Sequence, residues 1–371
     1  MKIHIHSHPG DSHSIAVTCA LQQRSHTVYR DVGLGITEGA TFRMGTSPDG
    51  WQVVHHDGLE HLPSEFDVVW LRRPVGVTPH AGLHPSDRRF VAGEWVEIAK
   101  ALRYAAADAF WVNPLQAITR ATNKPTQLAL ASEMGLRIPE TVITNDVDAL
   151  GHFLDAHEQV IFKPLHGALW EVEGKKLGAY TSVITRDHLS PAGKIQACPG
   201  IYQARVDKAF EVRAQFFGAS CFAVTIDSQA LQNANVDWRR ERGNPTLSTR
   251  PIELPETVYQ QCRHLMCELD LVSGAFDFIV TPDGEWVFLE VNEAGQFIFL
   301  EMWWKDVPIL DAFVQFLESR SPDFVYQPSA DRIHLAEVFA SPRFQEMIRH
   351  DDRVHGQYRH PGVIAEVAKV A

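Results

Sequence analysis

Residues 286–301 read WVFLEVNEAGQFIFLE, and they follow Ala275-Phe276-Asp277-Phe278 across the segment Thr281-Pro282-Asp283-Gly284. That segment is a turn signal, because proline suits the second position of a tight turn and glycine the fourth. Residues 274–280 and 285–291 therefore read as the antiparallel strands of one hairpin. Side chains alternate faces along a strand, so register decides what the hairpin presents. If Val280 opposes Glu285, then Asp277 opposes Phe288 and Ala275 opposes Glu290. Asp277, Glu290 and Asn292 then share one face, and Phe276, Phe278, Val280, Val287, Leu289 and Val291 cover the other. A Pro-Asp-Gly loop can also close with a left-handed glycine and a bulge, a one-residue slip that would put Asp277 among the apolar side chains. The even register avoids an unpaired buried carboxylate and is the preferred expectation. Two carboxylates and an amide oxygen are hard ligands, too few to cage a divalent ion alone, which suits Mg²⁺ completed by water and phosphate oxygens. The bland alternative is an exposed hairpin face that happens to be acidic.

Upstream, residues 210–217 (FEVRAQFF) put Glu211, Arg213 and Gln215 on one strand face and Val212, Ala214 and Phe216 on the other. A polar face on such a strand points to a lined cleft. With residues 201–206 (IYQARV) and 221–226 it predicts an antiparallel meander. Residues 160–165 (VIFKPL) drive Lys163 into an apolar strand, and Pro164 predicts a sheet edge there. A lysine that snorkels to the surface is the other reading. Residues 166–178 carry Gly167, Gly174 and Gly178, as suits a mobile flap. Asn123 can cap a helix over 124–134, with Pro125 in its first turn and Gly135 past its end. Lys124 then sits at a positively biased helix start, which favours an anion nearby.

The chain opens as β-α-β, with strands at 2–6 and 27–30 around a helix at 16–24. A hairpin at 41–55, a helix over 90–109 and a strand at 110–113 follow. Residues 66–71 form an apolar strand that delivers Arg72 and Arg73 at its carboxyl end, where open α/β sheets place ligands. Paired guanidinium forks fit carboxylate or phosphate, while solvated arginines or ion pairs are the alternative. Neither a dinucleotide fingerprint nor a P-loop occurs. His4, His6, His8 and His13 invite a metal reading, but His4 and His6 lining one strand face, with the others in a turn, is preferred. The WRRERG segment at 238–243 reads as a solvated basic loop. Helices are expected over 255–269 and 307–319, and residues 321–371 read as an extension with a short helix near 343–350.

The formal net charge of −12 argues against general binding to nucleic acid or anionic membranes. Five cysteines without a C-x-x-C pair fit reduced thiols. No apolar run reaches membrane-spanning length and residues 1–10 lack signal-peptide character, so a cytoplasmic location is expected.

Taken in order, these segments resemble the ATP-grasp ligases of the RimK-like group, and among them the ligases that macrocyclise ribosomal peptides of the microviridin (graspetide) type. The match runs over about residues 1–318. It rests on Trp70-Leu71-Arg72-Arg73-Pro74, Trp111-Val112-Asn113-Pro114, Asn123-Lys124 with Gln127, Gly135 with Ile138-Pro139 and Thr141, Phe162-Lys163-Pro164, Gln203, Glu211 with Arg213, Asp277, and Phe288-Leu289-Glu290-Val291-Asn292 with Gly295-Gln296. Glu293 and Ala294 depart from the proline-containing variants common there.

The resemblance implies an α/β plus α+β fold: an N-terminal α/β pre-ATP-grasp domain (1–118), a central subdomain (119–200), a C-terminal subdomain with the metal site (201–320) and an extension (321–371). It implies ATP and two Mg²⁺ ions as cofactors. Lys124, Lys163, Gln203, Ala204, Val206, Asp207 and Arg213 would contact nucleotide, and Asp277, Glu290 and Asn292 would hold metal. Lys163 and Arg213, with Arg72 and Arg73 near the reacting carboxylate or peptide, would be the catalytic set. The implied reaction is ADP-forming ligation: Asp or Glu side chains of a precursor peptide, recognised through its leader and acidic core, are activated as acyl phosphates and linked to Ser, Thr or Lys side chains. Addition of a free amino acid or amine to a peptide or small acid, or nucleotide binding without turnover, are the alternatives. No nucleic-acid or membrane partner is expected, and the extension leaves homodimerisation or peptide docking open.

Overall fold

The computed structural model describes residues 1–32, 42–48, 50–54, 60–61, 63–74, 82–165, 169–172, 175–178, 181–190, 193–228 and 248–355. Two compact units divide the chain, one of residues 1–114, 217–220 and 296 onward, the other of 115–216 and 221–295. The glycines near position 35 and the basic segment at 238–243 lie outside the described residues.

The first unit opens with β1 (Lys2–His6), α1 (Ser12–Gln23) and β2 (Thr27–Asp31). Asp11 starts α1 by accepting the Ser14 N–H at 3.1 Å, so the helix begins four residues before its expected start. The hairpin of β3 (Arg43–Ser47) and β4 (Gly50–Val54), joined by β5 (Glu60–His61), precedes β6 (Val68–Leu71), α2 (Pro85–Ala105) and β7 (Phe110–Val112). Strands β2-β1-β6-β7 form a parallel sheet, and β6, buried along its whole length, ends one residue before Arg72.

The second unit holds α3 (Leu115–Ala121), α4 (Lys124–Glu133), β8 (Thr141–Thr144), α5 (Val147–Ala156), β9 (Val160–Lys163), β10 (Leu169–Val172), β11 (Lys175–Gly178), β12 (Ser182–Ile184), α6 (Gly193–Gln196) and β13 (Gly200–Ala204). It continues with β14 (Phe210–Phe217), β15 (Ser220–Asp227), β16 (Ser248–Ile252), α7 (Glu256–Glu268), β17 (Ser273–Val280) and β18 (Trp286–Asn292). One sheet runs β12-β9-β13-β8 and a second runs β16-β15-β14-β17-β18. Leu150, Val160, Ile195 and Tyr202 core the first. Val212, Ala214 and Phe216 join Phe276, Phe278 and Leu265 in the core of the second, against which α3 and α4 also pack.

Two expectations change here. The meander breaks, because β13 belongs to the first sheet and β14 to the second. Arg205 still donates to the Gln159 carbonyl at 2.9 Å, whereas Ala209 donates to the Val280 carbonyl at 2.8 Å, so residues 205–209 carry the chain from one sheet to the other. Lys163 does not end an edge strand, since β9 lies between β12 and β13. Pro164 falls just past the last paired residue, where its missing N–H costs no ladder bond. The described residues of the expected flap form a two-stranded hairpin, with Leu169 opposite Gly178 and Val172 opposite Lys175.

The β17–β18 register also departs from the preferred one, by a route that preserves its outcome. Gly284 takes the left-handed conformation at φ +86° and donates to the Thr281 carbonyl at 2.9 Å, while Thr281 N–H reaches the Glu285 carbonyl at 3.0 Å. That closure slips the strands by one, so Val280 faces Trp286 and Phe278 faces Phe288. A bulge then follows, with Leu289 as the extra residue, and beyond it Asp277 faces Glu290 and Ala275 faces Asn292. The apolar layer is accordingly Phe276, Phe278, Val280, Phe288 and Val291 with Trp286 against it, and Leu289 does not join.

The chain closes in the first unit with α8 (Phe299–Trp303), α9 (Ile309–Ser319), α10 (Leu335–Ala340) and α11 (Pro342–His355). Trp70, Phe297, Phe217 and Phe316 gather around Phe313, with the Trp70–Phe313 centroids 4.7 Å apart. Helix α11 is longer than expected and packs on α1; its buried Asp351 accepts the Gly10 N–H at 2.7 Å and pairs with Arg30.

Candidate functional site

Three adjacent strands of the second sheet bring the polar side chains together. Arg213 on β14 donates through Nη1 to both Asp277 oxygens at 2.8 Å, across to β17. Asn292 on β18 donates to Asp277 Oδ2 at 3.1 Å and to Glu290 Oε1 at 3.4 Å. Lys124, at the first turn of α4, closes the group through Glu290 Oε2. The site is partly shielded, with side-chain exposures of 8% for Arg213 and 17% for Asp277.

Helix α4 is fixed there by Gln127, whose position in the quoted motif carried no role in the sequence. It is 4% exposed. Its Oε1 accepts the Val291 N–H at 2.9 Å and its Nε2 donates to the Val291 carbonyl at 2.9 Å. The amide thus serves the free edge of β18 as a neighbouring strand would. Further along that edge, Phe288 N–H donates to the Arg137 carbonyl at 2.7 Å. Asn123 holds the start of α4 by accepting the Thr126 N–H at 3.0 Å.

Beside Arg213, Glu211 accepts from Lys208 and from Ser228 Oγ at 2.9 Å. Burial pushes the Glu211 carboxyl above its usual range and the nearby Asp277 charge adds to this, against the pull of Lys208 and Ser228. Sequence reading placed Glu211 on the polar face, but Lys208 sits in the inter-sheet connection and Ser228 just past β15, so only the fold joins them.

Of the other expected nucleotide contacts, Lys163 ends β9 opposite Ile201, and Gln203 and Ala204 end β13. Val206 and Asp207 lie in the connection between the sheets, with Asp207 exposed. Gln203 is 1% exposed; its Nε2 donates to Thr141 Oγ1 at 3.0 Å, while its Oε1 has no hydrogen-bond partner among the described residues. Arg72 and Arg73 belong to the first unit. Arg72 is 1% exposed, with Nε 3.5 Å from Asp11 Oδ2, and Arg73 is exposed with φ +48°. Burial alone would raise the Asp11 carboxyl, but the Arg72 guanidinium and the Ser7 hydroxyl hold it well below the usual range.

The donors fit the implied groups. Asp277 and Glu290 oppose each other on one face and offer the hard carboxylate oxygens a divalent ion takes, in exchange for their present ion pairs to Arg213 and Lys124. A half-turn of the Asn292 amide would offer its oxygen instead of its N–H. The buried Gln203 Oε1 is an acceptor suited to an N–H donor such as an adenine amine.

No protein-family model matches the chain, and no curated protein sequence matches it. Solved structures do. The RiPP-associated ATP-grasp ligase of Chryseobacterium gregarium, in complex with ADP and a leader and core peptide, is 25% identical over 86% of this chain and 97% of its own, with a TM-score of 0.79. The macrocyclase MdnB of Microcystis aeruginosa is 27% identical over 85% of this chain and 98% of its own, at a TM-score of 0.71. MdnC of the same organism, bound with precursor peptide MdnA, is 24% identical over 86% of this chain and 100% of its own, at 0.74. The chain has the ATP-grasp fold, and the likeness read from its motifs to ligases that modify ribosomal peptides is shown.

Proposed function

We propose that this protein is an ADP-forming ligase that activates Asp or Glu side chains of a ribosomal precursor peptide as acyl phosphates and joins them to Ser, Thr or Lys side chains of the same peptide. The observation that carries this reading is the Asp277–Glu290 pair with Asn292, flanked by Arg213 and Lys124, on an ATP-grasp fold similar to peptide-modifying ligases. The two cores within residues 115–295 support two clamp subdomains, expected over 119–200 and 201–320 after a pre-ATP-grasp domain at 1–118, although α3 and α4 pack on the second core and residues 296–320 group with the first unit.

A carboxylate resists attack because of its charge and resonance, so condensation in water needs a better leaving group. Asp277, Glu290 and Asn292 would hold Mg²⁺, which when bound supplies charge neutralisation for the nucleotide phosphates. Arg213 and Lys124 are the cations placed to exchange their carboxylate partners for phosphate oxygens, and Lys163 contributes a third charge. Gln203 and the residues to Asp207 would hold the adenosine. Arg72 and Arg73 are assigned to the reacting carboxylate or the peptide. Positioning the nucleophile beside the activated carbonyl removes much of the entropic cost of a bimolecular step, and the β10–β11 hairpin would shield the acyl phosphate from water.

The test is to incubate the protein with ATP, Mg²⁺ and the peptide encoded beside its gene and to follow peptide mass and ADP. Loss of one water per link with ADP release is the expected result. A mass gain equal to an amine less one water, or nucleotide binding without ADP, would overturn the proposal.

A further inference from the structure

We propose that His4, His6 and Asp31 form a binding site for one divalent transition-metal ion of the zinc and cobalt class. Strand period 2 puts His4 and His6 on the same face of β1, with ring centroids 4.0 Å apart. The parallel register sets His6 opposite Asp31, the last residue of β2. Asp31 Oδ2 is 3.7 Å from His6 Nδ1 and 4.0 Å from His4 Nε2, and one ligand atom from each residue lies within 4.8 Å of the others. Side-chain exposures are 8% for His4, 12% for His6 and 6% for Asp31, so the carboxylate is withdrawn from water.

The two contacts to Asp31 exceed a normal hydrogen bond, which ends near 3.2 Å. Around one ion with bonds of about 2.0–2.1 Å, tetrahedral ligands stand roughly 3.3–3.4 Å apart. Contraction by roughly half an ångström at the two carboxylate contacts, and by up to about 1.5 Å between the imidazole nitrogens, through side-chain rotations would close the site. Two imidazoles and one carboxylate leave a position open and favour zinc, cobalt and their neighbours over Mg²⁺, which prefers oxygens. The place also fits, since ligands of open α/β sheets gather at the carboxyl ends of their strands. Ser7 N–H donates to the Asp31 carbonyl at 2.8 Å, fixing β2 where an ion would tie it to β1.

The other two histidines singled out in the sequence do not join. His13 Nε2 accepts the N–H groups of Phe297 at 3.0 Å and Ile298 at 3.3 Å, and His8 Nδ1 lies 3.1 Å from the Pro9 carbonyl. Asp31 was the missing member, because only strand pairing brings it to His6. Arg30, next to it, pairs with Asp351.

The experiment uses the full chain carrying Cys198→Ser and Cys267→Ser, which removes the two exposed thiols. After chelator treatment it is titrated with Co²⁺ in excess Mg²⁺, which fills oxygen sites. One equivalent should bind with visible absorption of a low-coordinate site, Zn²⁺ should displace it, and the melting temperature should rise with bound metal. His6→Ala and Asp31→Asn should each weaken binding by about tenfold or more, since even losing a group behind a ligand costs that much. His84→Ala, an exposed imidazole, should leave it unchanged. If Asp31→Asn fails to fold, His6→Gln on the half-buried position decides. No Co²⁺ uptake, or uptake as tight in both site variants as in the parent, would overturn the proposal.

Discussion

Replacing Gly295 with alanine tests how Arg213 is held. A Cβ there would lie 2.4 Å from Ala275 Cβ, 2.7 Å from Arg213 Nη2 and 3.4 Å from the Asn292 carbonyl. The guanidinium can swing away, but Ala275 Cβ is rooted in β17 and cannot yield without moving the strand. Overpacking of this kind costs about 1–3 kcal/mol. For a unit of this size, each kcal/mol lowers the melting temperature by roughly 2–4 °C. A displaced Arg213 also loses its 2.8 Å bonds to both Asp277 oxygens. If Arg213 neutralises charge in phosphoryl transfer, ADP formation should fall by about tenfold or more, since deleting one such donor outright costs roughly 10²–10³. Ala275→Gly in the same chain removes the 2.4 Å clash but leaves the 2.7 Å one. The double variant should therefore recover most of the melting temperature while turnover stays low, with a coupling of about 0.5–3 kcal/mol. Thermal melts followed by circular dichroism and a coupled ADP assay read the two effects separately. Parental stability and turnover in Gly295→Ala, or strictly additive melting shifts, would refute the reasoning.

Glu290→Gln should abolish ADP formation and leave the far-ultraviolet dichroism intact, at a cost of about 1–3 kcal/mol because the half-buried Lys124 loses its charged partner; unchanged turnover would sink the metal assignment. Arg72→Met should destabilise by about 3–5 kcal/mol, since it strands Asp11 in a buried site. The folded Asp11 carboxyl is depressed, so its stabilising contribution is full above the unfolded value of about 3.9 and fades as pH falls below it. Arg72→Met should therefore show a shallower acid loss in pH-dependent melts, and an unchanged slope would contradict the pairing. Exposed Arg73→Met should leave the melting temperature nearly unchanged and raise the KM for peptide. Glu211 has the opposite sign: its raised folded value removes stability as pH rises from the unfolded value of about 4.3. Lys208→Met should deepen that loss toward neutral pH and Glu211→Gln should relieve it, which melts from pH 4 to 8 would check.

How much of this was legible depends on range. Strand period alone put Glu211, Arg213 and Gln215 on one face of β14, and cap chemistry alone placed Lys124 at the start of α4 behind Asn123. Both are short-range properties of the backbone. The hairpin shows where such reasoning stops. Its turn position was readable, yet its closure through a left-handed Gly284 was the alternative not preferred, and the register at Asp277 depended on a bulge at Leu289, which no local signal fixed. The break between β13 and β14 was hidden for the same reason, because hydrogen bonds to Gln159 and Val280 decide it and each partner lies far along the chain.

By itself the sequence determined the acidic hairpin, the capped helix that carries Lys124, the polar strand face and, through their order, the ATP-grasp resemblance. Only the tertiary structure decided that Asp277 faces Glu290, that Gln127 completes the edge of β18, that Lys208 and Ser228 satisfy Glu211, and that Asp31 meets His4 and His6. The first group rests on alternation and capping, which act between neighbours in the chain. The second rests on pairing between distant strands, where one extra residue turns every later side chain to the other face.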